Sequence, residues 1–300
     1  MINSTSQEKL LPHIPVMLSE VLEYLDLQEN GVYIDGTVGA GGHAKSILGN
    51  PSSTRKVIGL DRDAEALEIC NKQFSASAKN LITTRRTSYH QFPTVLNELG
   101  LDTVNGILLD LGLSSMQLNS QSRGFAFESD GNLDMRFNKD SGETAAELIN
   151  HSSEEELANI IFHFGEERYS RKIAYNIKTM KKMNAVADLK EAIRRSTPPH
   201  KRKKSLARVF QALRIAVNSE LEKLELFLNS FIDYLAINGR VVIISYHSIE
   251  DRMVKHAFRA LKNNQRLTPL NKKPIIPTIK EQEYNPRSRS AKLRAAERVN

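Results

Sequence analysis

Three aspartates follow short apolar runs, at the places where buried strands would end. Asp35 follows Val32–Ile34, Asp61 follows Lys56–Leu60, and Asp110 follows Gly106–Leu109. Parallel strands of a doubly wound sheet carry ligand sites at their carboxyl ends, so we expect the three carboxylates to meet at one site. Such a site suits a cationic ligand and suits a pyrophosphate poorly.

A glycine-rich loop, Asp35–His43, follows the first of these strands and precedes a helix predicted from about His43 to Leu48. Its glycines, Gly36, Gly39, Gly41 and Gly42, let the backbone turn sharply and let a ligand approach the main chain. Gly39-x-Gly41-x-x-Ala44 followed by Asp61 also fits a dinucleotide fingerprint, which leaves a nicotinamide-dependent dehydrogenase as an alternative. The acidic strand ends favour S-adenosylmethionine, with Asp35 serving its methionine end and Asp61 its ribose hydroxyls.

The elements that must position these residues are short strands alternating with helices. Beyond those above, the pattern predicts a helix from Asp63, a weak strand at Leu81–Thr83 and a helix over Gln91–Leu99. The alternation indicates a Rossmann-like α/β domain whose parallel sheet is covered on both faces. It stops after Leu113 and resumes with one long amphipathic helix, Leu206–Leu235, and a fifth strand, Arg240–Ser245.

The interruption is predicted to be an inserted helical domain. It holds helical stretches at Ser153–Phe164 and Arg168–Met180 and no convincing buried strand. We therefore expect a catalytic domain made of residues 1–117 and 206–300, and an inserted substrate-recognition domain of residues 118–205.

Charge and composition indicate a cytosolic protein with a polyanionic partner. The net charge is +7, and the excess is local: Arg194–Arg208 and Lys255–Asn300 are rich in Lys and Arg. Clustered positive charge favours RNA, although two solvated basic loops would look the same. Met1–Lys9 does not resemble a signal peptide, and no apolar run is long enough to span a membrane. One cysteine, Cys70, fits a reducing compartment and excludes a thiolate metal cluster.

The chain resembles the bacterial family of small-subunit 16S ribosomal RNA cytosine-N4 methyltransferases, which act in the decoding region. The motifs that carry the resemblance run almost end to end: His13–Leu18, Tyr33–His43, Asp61–Asp63, Gly106–Leu118, Arg123–Phe127, Asp130–Arg136, Gly165–Tyr169, Phe210–Ile215, Val217–Leu221, Ile244–Arg252 and Asn285–Ser290. The resemblance implies a class I methyltransferase core with an inserted helical domain, in agreement with the pattern above. It also implies the assembled small ribosomal subunit as partner.

The resemblance further implies particular cofactor contacts. These are Gly41, Gly42, His43, Asp61, Tyr89, Asp110 and Gln117, with Tyr89 expected beside the adenine. Asp35 and Gly39 join them from the strand-end and glycine-loop argument. His43 opens a helix, so a role in its cap is the alternative for that residue.

The implied chemistry is methylation of a weakly nucleophilic amine, which needs close positioning and hydrogen-bond acceptors for the amine. Asp110 and the carbonyls of Leu111 and Gly112 are candidates for those acceptors; Asp110 could equally be a cofactor ligand. The chain lacks the usual proline-aromatic loop at this place, so the aromatic that stacks on the base is sought among Phe125, Phe127 and Tyr246.

His247 is a second catalytic candidate, although Ser248-x-x-Asp251 also fits a helix-capping box that would make His247 a loop residue. Methylation at pyrimidine carbon-5 would need a cysteine thiolate. Cys70 falls in the middle of a predicted helix and is expected to be a core residue, so that chemistry is disfavoured.

Other polar residues leave alternatives open. Arg208, Gln211, Arg214 and Asn218 share one helical stripe that either lines an RNA cleft or is solvated, and Asp130 and Asp134 flank a loop of unassigned task. The basic segments would hold phosphates. No metal site and no obligate protein partner are expected. Another RNA or DNA acceptor, and a non-catalytic RNA-binding protein, remain alternatives.

Overall fold

One sheet of seven strands runs through the chain in a computed structural model, which describes residues 14–49, 53–74, 81–114, 117, 123–180 and 182–300. The strands are β1 Val32–Asp35, β2 Lys56–Asp61, β3 Ile82–Arg86, β4 Val104–Asp110, β5 Leu235–Ser245, β6 Leu267–Pro269 and β7 Lys292–Arg298. Their order is β3-β2-β1-β4-β5-β7-β6. Among these strands β7 alone runs in the reverse direction, so its pairings with β5 and β6 are antiparallel. The predicted α/β class and the first four strands are confirmed.

Helices cover both faces of this sheet. The part that contains the sheet also contains α1 Leu18–Leu25, α2 Gly42–Leu48, α3 Ala64–Gln73, α4 Phe92–Glu98, α9 Arg202–Asn218, α10 Glu220–Tyr234, α11 Ser248–Asn263 and α12 Ile279–Tyr284. Alternate strand residues point to opposite faces, so each strand feeds two cores. Ile107 and Leu109 join α4, α10 and α11 in one core, whereas Leu108 joins α1, α2 and α3 in the other.

The strand order reverses direction between β1 and β4, which lie side by side. Tyr33, Ile34 and Asp35 of β1 pair with Gly106, Ile107 and Leu108 of β4. Crevices at such a switch point are the usual ligand sites of open α/β sheets, because the connections leave on opposite faces there. Asp35 and Asp110 end these two strands, as the sequence predicted.

The inserted segment is helical in the part that the structure describes. It contains α5 Ala145–His151, α6 Glu154–Gly165, α7 Ser170–Thr179 and α8 Val186–Ser196. An isolated antiparallel β-bridge joins Asn132 to Ala185. These helices build a separate apolar core to which Val209, Phe210 and Leu213 of α9 also belong. The predicted boundary at residue 118 and the segment Met1–Lys9 lie outside the described residues, so the domain limits stay a prediction.

The single long helix predicted over 206–235 is wrong. Ser219 adopts a left-handed conformation with φ 50° and separates α9 from α10. Arg214 then reaches Glu220 with two hydrogen bonds of 2.9 and 2.8 Å. Side chains six positions apart project about 240° apart around an uninterrupted helix, so this pairing needs the break.

The carboxy-terminal third also differs from prediction. β5 begins at Leu235, not Arg240, and Asn238–Gly239 forms a bulge inside the strand, where the pairing jumps from Leu235 to Arg240. The basic segment from Lys255 is not a loose tail: it folds into α11, β6, α12 and β7. Arg266 and Arg294 form ion pairs with Asp233 and Asp251. None of the described helices is long and apolar enough to cross a membrane.

Candidate cofactor and substrate site

The glycine loop and the end of β2 form one wall of a cleft. Gly39 has φ +50°, a conformation that other residues rarely adopt, and it lines the cleft. Its N–H donates to Asp61 Oδ2 at 2.9 Å, and the N–H of Asp63 donates to Asp61 Oδ1 at 2.9 Å. The Asp61 carboxylate is thereby oriented, with remaining acceptor capacity for hydroxyl groups.

The cleft lies at the carboxyl ends of β1, β2 and β4 and has a volume of about 940 Å³ with its open mouth included. Seven of the nine predicted cofactor residues line it: Gly39, Gly42, His43, Asp61, Tyr89, Asp110 and Gln117. Gly41 lies behind the wall, where a Cβ would come within 2.9 Å of Cys70 Sγ. Gly41 therefore allows the loop to pack on α3. It does not line the cleft.

Asp35 is the second predicted residue outside the lining. It is 1% exposed, and its Oδ1 accepts the N–H of Thr37 at 3.2 Å. Its Oδ2 has no hydrogen-bond partner among the described residues. Burial, with the nearby charges of Asp110 and Asp61, raises the pKa of this carboxyl to about 7. A cationic ligand would relieve that penalty by favouring the ionised form.

His43 is buried, and its ring lies against the chain near the amino terminus. Its Nε2 is 3.0 Å from the carbonyl oxygen of Val16, which assigns the proton to Nε2. Burial lowers the pKa of His43, so the ring is neutral at physiological pH. The alternative that His43 caps α2 is not supported, because Gly41 is the N-cap and no side-chain cap is present.

The far end of the cleft holds residues that the sequence reading missed. These are Arg62, Phe137, Glu220 and Lys223. The Arg62 guanidinium lies 5.5 Å from the centre of the Phe137 ring, and the Tyr89 hydroxyl donates to the Glu220 carbonyl at 3.3 Å. Phe137 comes from the insertion and Glu220 from beyond the helix break, so no local pattern could have placed them.

A second cavity of about 840 Å³ adjoins the cleft, and Leu113 and Arg287 line both. The aromatic candidates Phe125, Phe127 and Tyr246 all line this second cavity, and Phe210 joins them. Base-stacking side chains of this kind suit a nucleobase. His247, predicted as catalytic, also lines the second cavity.

Tyr246 and Asp110 stand where the two cavities meet. The Tyr246 ring lies directly against Gly112, where a Cβ would come within 2.6 Å of it. Burial and the adjacent Asp110 carboxylate raise the pKa of Tyr246 well above its usual value, so the phenol keeps its proton. Asp110 is itself held by the Thr37 hydroxyl, which accepts the Asp110 N–H at 2.7 Å.

A buried charged network supports the floor of the second cavity. Arg214 and Gln211 of the predicted stripe line this cavity, and Arg214 is fixed by Glu220. Glu250 lies 3.2 Å from His247 Nε2 and accepts the Tyr246 N–H at 2.8 Å. Burial raises the pKa of Glu250, but His247 and Arg214 outweigh it and leave the pKa lowered.

The predicted capping box at Ser248 and Asp251 is wrong by one residue. His247 is the N-cap of α11, its Nδ1 accepts the Glu250 N–H at 3.3 Å, and Glu250 completes the box. Glu220, His247 and Glu250 bring three donor atoms within 4.8 Å of one another, a spacing that a metal ion could use. Arg214 already supplies positive charge to these carboxylates.

The insertion is tied to the turn between β2 and α3 by a buried ion pair. Arg123 Nη1 lies 2.5 Å from Asp63 Oδ2, and both side chains are 4% exposed. Nη2 of the same arginine donates to the carbonyls of Arg136 and Phe137. Phe137, in the cleft, stacks at 5.7 Å on Phe125, in the second cavity. The aromatic walls of both cavities thus rest on one arginine.

The two predicted acids of the insertion loop, Asp130 and Asp134, have different surroundings. Asp134 accepts the Arg136 N–H at 3.0 Å and binds its guanidinium through both oxygens at 2.8 Å. Asp130 is exposed. Asn218, from the predicted stripe, is buried and binds Phe137 N and Met135 O, so it holds the insertion in place.

Comparison with solved structures gives only weak similarity in shape. An rRNA methylase from Streptococcus thermophilus has a TM-score of 0.41 at 11% identity, covering 94% of both chains. Fibrillarin from Aeropyrum pernix, with natively bound S-adenosyl-L-methionine, has a TM-score of 0.42 at 8% identity, covering 93% of this chain and 73% of that one. Similarity at this level carries no argument about function.

Similarity in sequence to known proteins is much higher. A ribosomal RNA small subunit methyltransferase H from Thermosipho africanus is 47% identical over 291 residues, which cover 96% of this chain and 98% of that protein. A protein of the same name from Thermotoga neapolitana is 46% identical over 293 residues and 96% of each chain. The family model of the MraW methylase family matches residues 10–299. With a match over nearly its whole length and relatives this similar, the chain belongs to the MraW methylase family.

Proposed function

We propose that this chain transfers a methyl group from S-adenosylmethionine to the exocyclic N4 amine of a cytosine in the decoding region of 16S rRNA. Membership of a methylase family removes the dinucleotide-dependent dehydrogenase that the glycine loop alone left open. Relatives named as methyltransferases of small-subunit ribosomal RNA support the RNA acceptor. The cytosine and its N4 position rest on the sequence resemblance and on the chemistry below.

The residues of the first cavity fit S-adenosylmethionine. Asp61, held by two backbone N–H groups, would accept hydrogen bonds from the ribose hydroxyls, and Gly39 would lie against the ligand. Tyr89 and Phe137 would flank the adenine. Asp35 lies outside the cleft lining, but its buried carboxylate with an unpartnered Oδ2 would favour the cationic methionine end through its charge. When bound, the cofactor supplies an electrophilic methyl group on a cationic sulfur.

The second cavity fits a pyrimidine base. Phe125, Phe127, Phe210 and Tyr246 offer faces on which a flipped base would stack, and unstacking it from the RNA costs a few kcal/mol. The Arg214 guanidinium is pinned by Glu220 and can direct its other N–H groups at cytosine O2 and N3. Uracil presents an N–H at N3, which would face a donor there, so the pocket selects cytosine.

The acceptor amine is expected at the junction of the cavities. The Asp110 carboxylate and the carbonyls of Leu111 and Gly112 offer acceptors that orient the amine hydrogens and stabilise the developing positive charge. The protonated Tyr246 hydroxyl lies near Asp110 and has no hydrogen-bond partner among the described residues, so it is available to a bound group. His247 lines the second cavity next to Tyr246, where its cap on α11 and its contact with Glu250 shape the pocket wall. We assign His247 this positioning role.

Basic residues stand at the start of α9, ahead of the α9 residues Ala207, Phe210, Gln211 and Arg214 that line the second cavity. Lys201, Lys203 and Lys204 at the start of α9 are exposed and would bind RNA phosphates, which gives salt-dependent affinity without choice of base. The assembled small subunit in the cytoplasm is the proposed partner.

The observation that carries the proposal is the meeting of a cofactor-sized cleft and an aromatic cavity at Asp110 and Tyr246. To test it, purified protein is incubated with methyl-labelled S-adenosylmethionine and small subunits from a strain lacking the enzyme. The RNA is then digested to nucleosides for mass spectrometry. Asp110→Ala protein and free RNA are run in parallel.

We expect labelled N4-methylcytidine from subunits and none with Asp110→Ala. Label on another nucleoside would contradict the amine chemistry, and label on added DNA or on another RNA alone would contradict the acceptor. Cofactor binding without any label would indicate a protein that uses the fold only to bind RNA.

A further inference from the structure

Arg287 reaches the point where the two cavities meet. It lines both of them, and its Nη2 donates to the carbonyl oxygen of Leu113 in the loop after β4. The sequence reading placed this residue in a basic tail that holds RNA phosphates. Its position at the inner junction suggests a different ligand.

The backbone that carries Arg287 is firmly anchored. It belongs to a 3₁₀ turn, Pro286–Ser290, in which Ser288 is fully buried and its hydroxyl donates to the Asn285 carbonyl at 2.9 Å. The side chain of Asn285, also buried, donates to the carbonyl of Ile14 at 3.3 Å. The fold therefore aims this arginine at the junction, as expected of a binding residue on a preorganised support.

The cofactor cleft has cations at both ends. Among its described lining residues, Arg62 and Lys223 both donate to the Asn218 carbonyl and so share the end beside Phe137. Arg287 belongs to the opposite end, where its charge acts on His43 and Tyr246. His43 is neutral there, which leaves Arg287 as the cation at this end of the described lining.

That end is the one proposed for the amino-acid portion of S-adenosylmethionine. This portion carries both an ammonium and a carboxylate. The negative charges of Asp35 and Asp110 favour the ammonium. The same two acids would repel the carboxylate, which needs a cation. A guanidinium forms paired, charge-assisted hydrogen bonds with a carboxylate, a geometry that a lysine cannot reproduce.

We propose that Arg287 binds the carboxylate of the amino-acid portion of the cofactor and so seats the cofactor next to the base cavity. The assignment rests on the proposed cofactor and goes beyond the contacts that the family resemblance implies. A phosphate of the RNA is the competing oxyanion. The contact of Arg287 with Leu113 and its place in the cleft lining near the buried His43 favour the cofactor over a phosphate.

Ligand binding without turnover tests the assignment. Calorimetry measures the dissociation constants of S-adenosylhomocysteine, of S-adenosyl-3-thiopropylamine, which lacks only the carboxylate, and of methylthioadenosine, which lacks the whole amino-acid portion. The proteins are wild type, Arg287→Gln, Arg287→Lys and, as matched control on the same turn, Arg289→Gln. Arg289 is exposed, and its Nε lies 3.4 Å from the Gln282 carbonyl.

In the wild type we expect the carboxylate to strengthen binding by about 10- to 100-fold, the range for a charge-assisted pair. Arg287→Gln should bring this ratio to within about threefold of one and leave methylthioadenosine unchanged. Arg287→Lys should fall between, and Arg289→Gln should match the wild type.

Three results would overturn the assignment. Equal weakening of all three ligands would mean that Arg287 only supports the fold, and Arg287→Lys, which keeps the charge, would then separate packing from charge. Unchanged ratios with a higher KM for RNA would assign Arg287 to a phosphate. Failure of the wild type to bind S-adenosylhomocysteine would refute the proposed cofactor itself, a result distinct from the other two.

Discussion

At the scale of the residue, burial has the largest effect on the pKa of a carboxyl group in this site. Asp35 is the clearest case, because desolvation brings its pKa to about 7 and one of its oxygens has no partner among the described residues. In the ligand-free protein this raised pKa is a cost. The unfolded chain loses the proton near pH 4, so the free energy of unfolding falls as the pH rises from about 4 to about 7.

Cofactor affinity should show the opposite trend. If the ammonium of the ligand pairs with ionised Asp35, binding of S-adenosylhomocysteine must strengthen as pH rises toward about 7, by at most tenfold per pH unit from this group. Asp35→Asn should remove that dependence and flatten the stability profile between pH 5 and 8. Calorimetry and urea unfolding at stepped pH measure both. A pH dependence that survives in Asp35→Asn would assign it to another group.

Arg214 is the residue on which the proposed choice of cytosine depends. Arg214→Lys keeps a charge next to Glu220 but loses the paired contacts of 2.9 and 2.8 Å that orient the guanidinium. We expect kcat/KM for subunits to fall by about 10²-fold, equivalent to about 2.7 kcal/mol. The affinity for S-adenosylhomocysteine should stay within about threefold. A comparable loss of cofactor affinity would show that the variant disturbs the cleft, and the assignment to base recognition would be wrong.

At the scale of elements, the break between α9 and α10 joins the insertion to the catalytic core. Asn218 accepts the Phe137 N–H at 2.8 Å and donates to the Met135 carbonyl at 2.7 Å, and it is 1% exposed. One side chain at the end of a core helix therefore positions an insertion residue that lines the cofactor cleft.

Two neighbouring substitutions should have opposite effects on stability. Asn218→Ala leaves buried polar groups of the insertion unpaired and should lower the free energy of unfolding by about 2–4 kcal/mol. Ser219→Gly replaces a residue at φ 50° with one that adopts this conformation freely, and should change it by about +0.5 to +1 kcal/mol. Urea unfolding followed by circular dichroism compares both with the wild type. Destabilisation by Ser219→Gly would mean that the serine side chain, and not the backbone geometry, favours the break.

At the scale of the molecule, the insertion has an apolar core of its own, which extends into α9, and polar contacts join it to other parts of the chain. Glu166, at the end of α6 in the insertion, accepts from Ser248 and Arg252 of α11 at 2.7 and 2.8 Å. Together with the buried Asp63–Arg123 pair, these contacts join the insertion to α11 and to the turn after β2. The start of α9 carries the exposed residues Lys203 and Lys204, and the following turns of α9 line the second cavity.

Exposed lysines on that surface should set the salt dependence of RNA binding. The double variant Lys203→Gln with Lys204→Gln should weaken binding several-fold at low salt. It should also lower the slope of log Kd against log salt by about 1.5, at 0.7 to 0.9 per phosphate contact. The control, Lys56→Gln with Lys72→Gln, removes the same charge from exposed positions near β2 and α3. Equal slopes in the two double variants would mean that α9 binds no phosphates and only net charge matters.

The local elements and the chemistry of the strand ends could be predicted from the sequence alone. Apolar runs ending in Asp35, Asp61 and Asp110 predicted three strands and a shared acidic site, since strand direction alone brings carboxyl ends together. The family resemblance added Tyr89 and Gln117, and both line the cleft. The family itself is confirmed by its match over residues 10–299.

Cleft residues that come from distant parts of the chain could be placed only with the tertiary structure. Phe137, Glu220, Lys223 and Arg287 reach the cleft from the insertion, from beyond a helix break and from the carboxy-terminal turn. Ser219 follows the helical period of its neighbours, so the break was invisible in a pattern read one window at a time. Arg214 pairs with Glu220 only after that break, and the aromatic residues meet only when Arg123 is buried against Asp63. Side-chain periodicity reports which face is apolar; which distant group shares a cavity depends on packing that no local window contains.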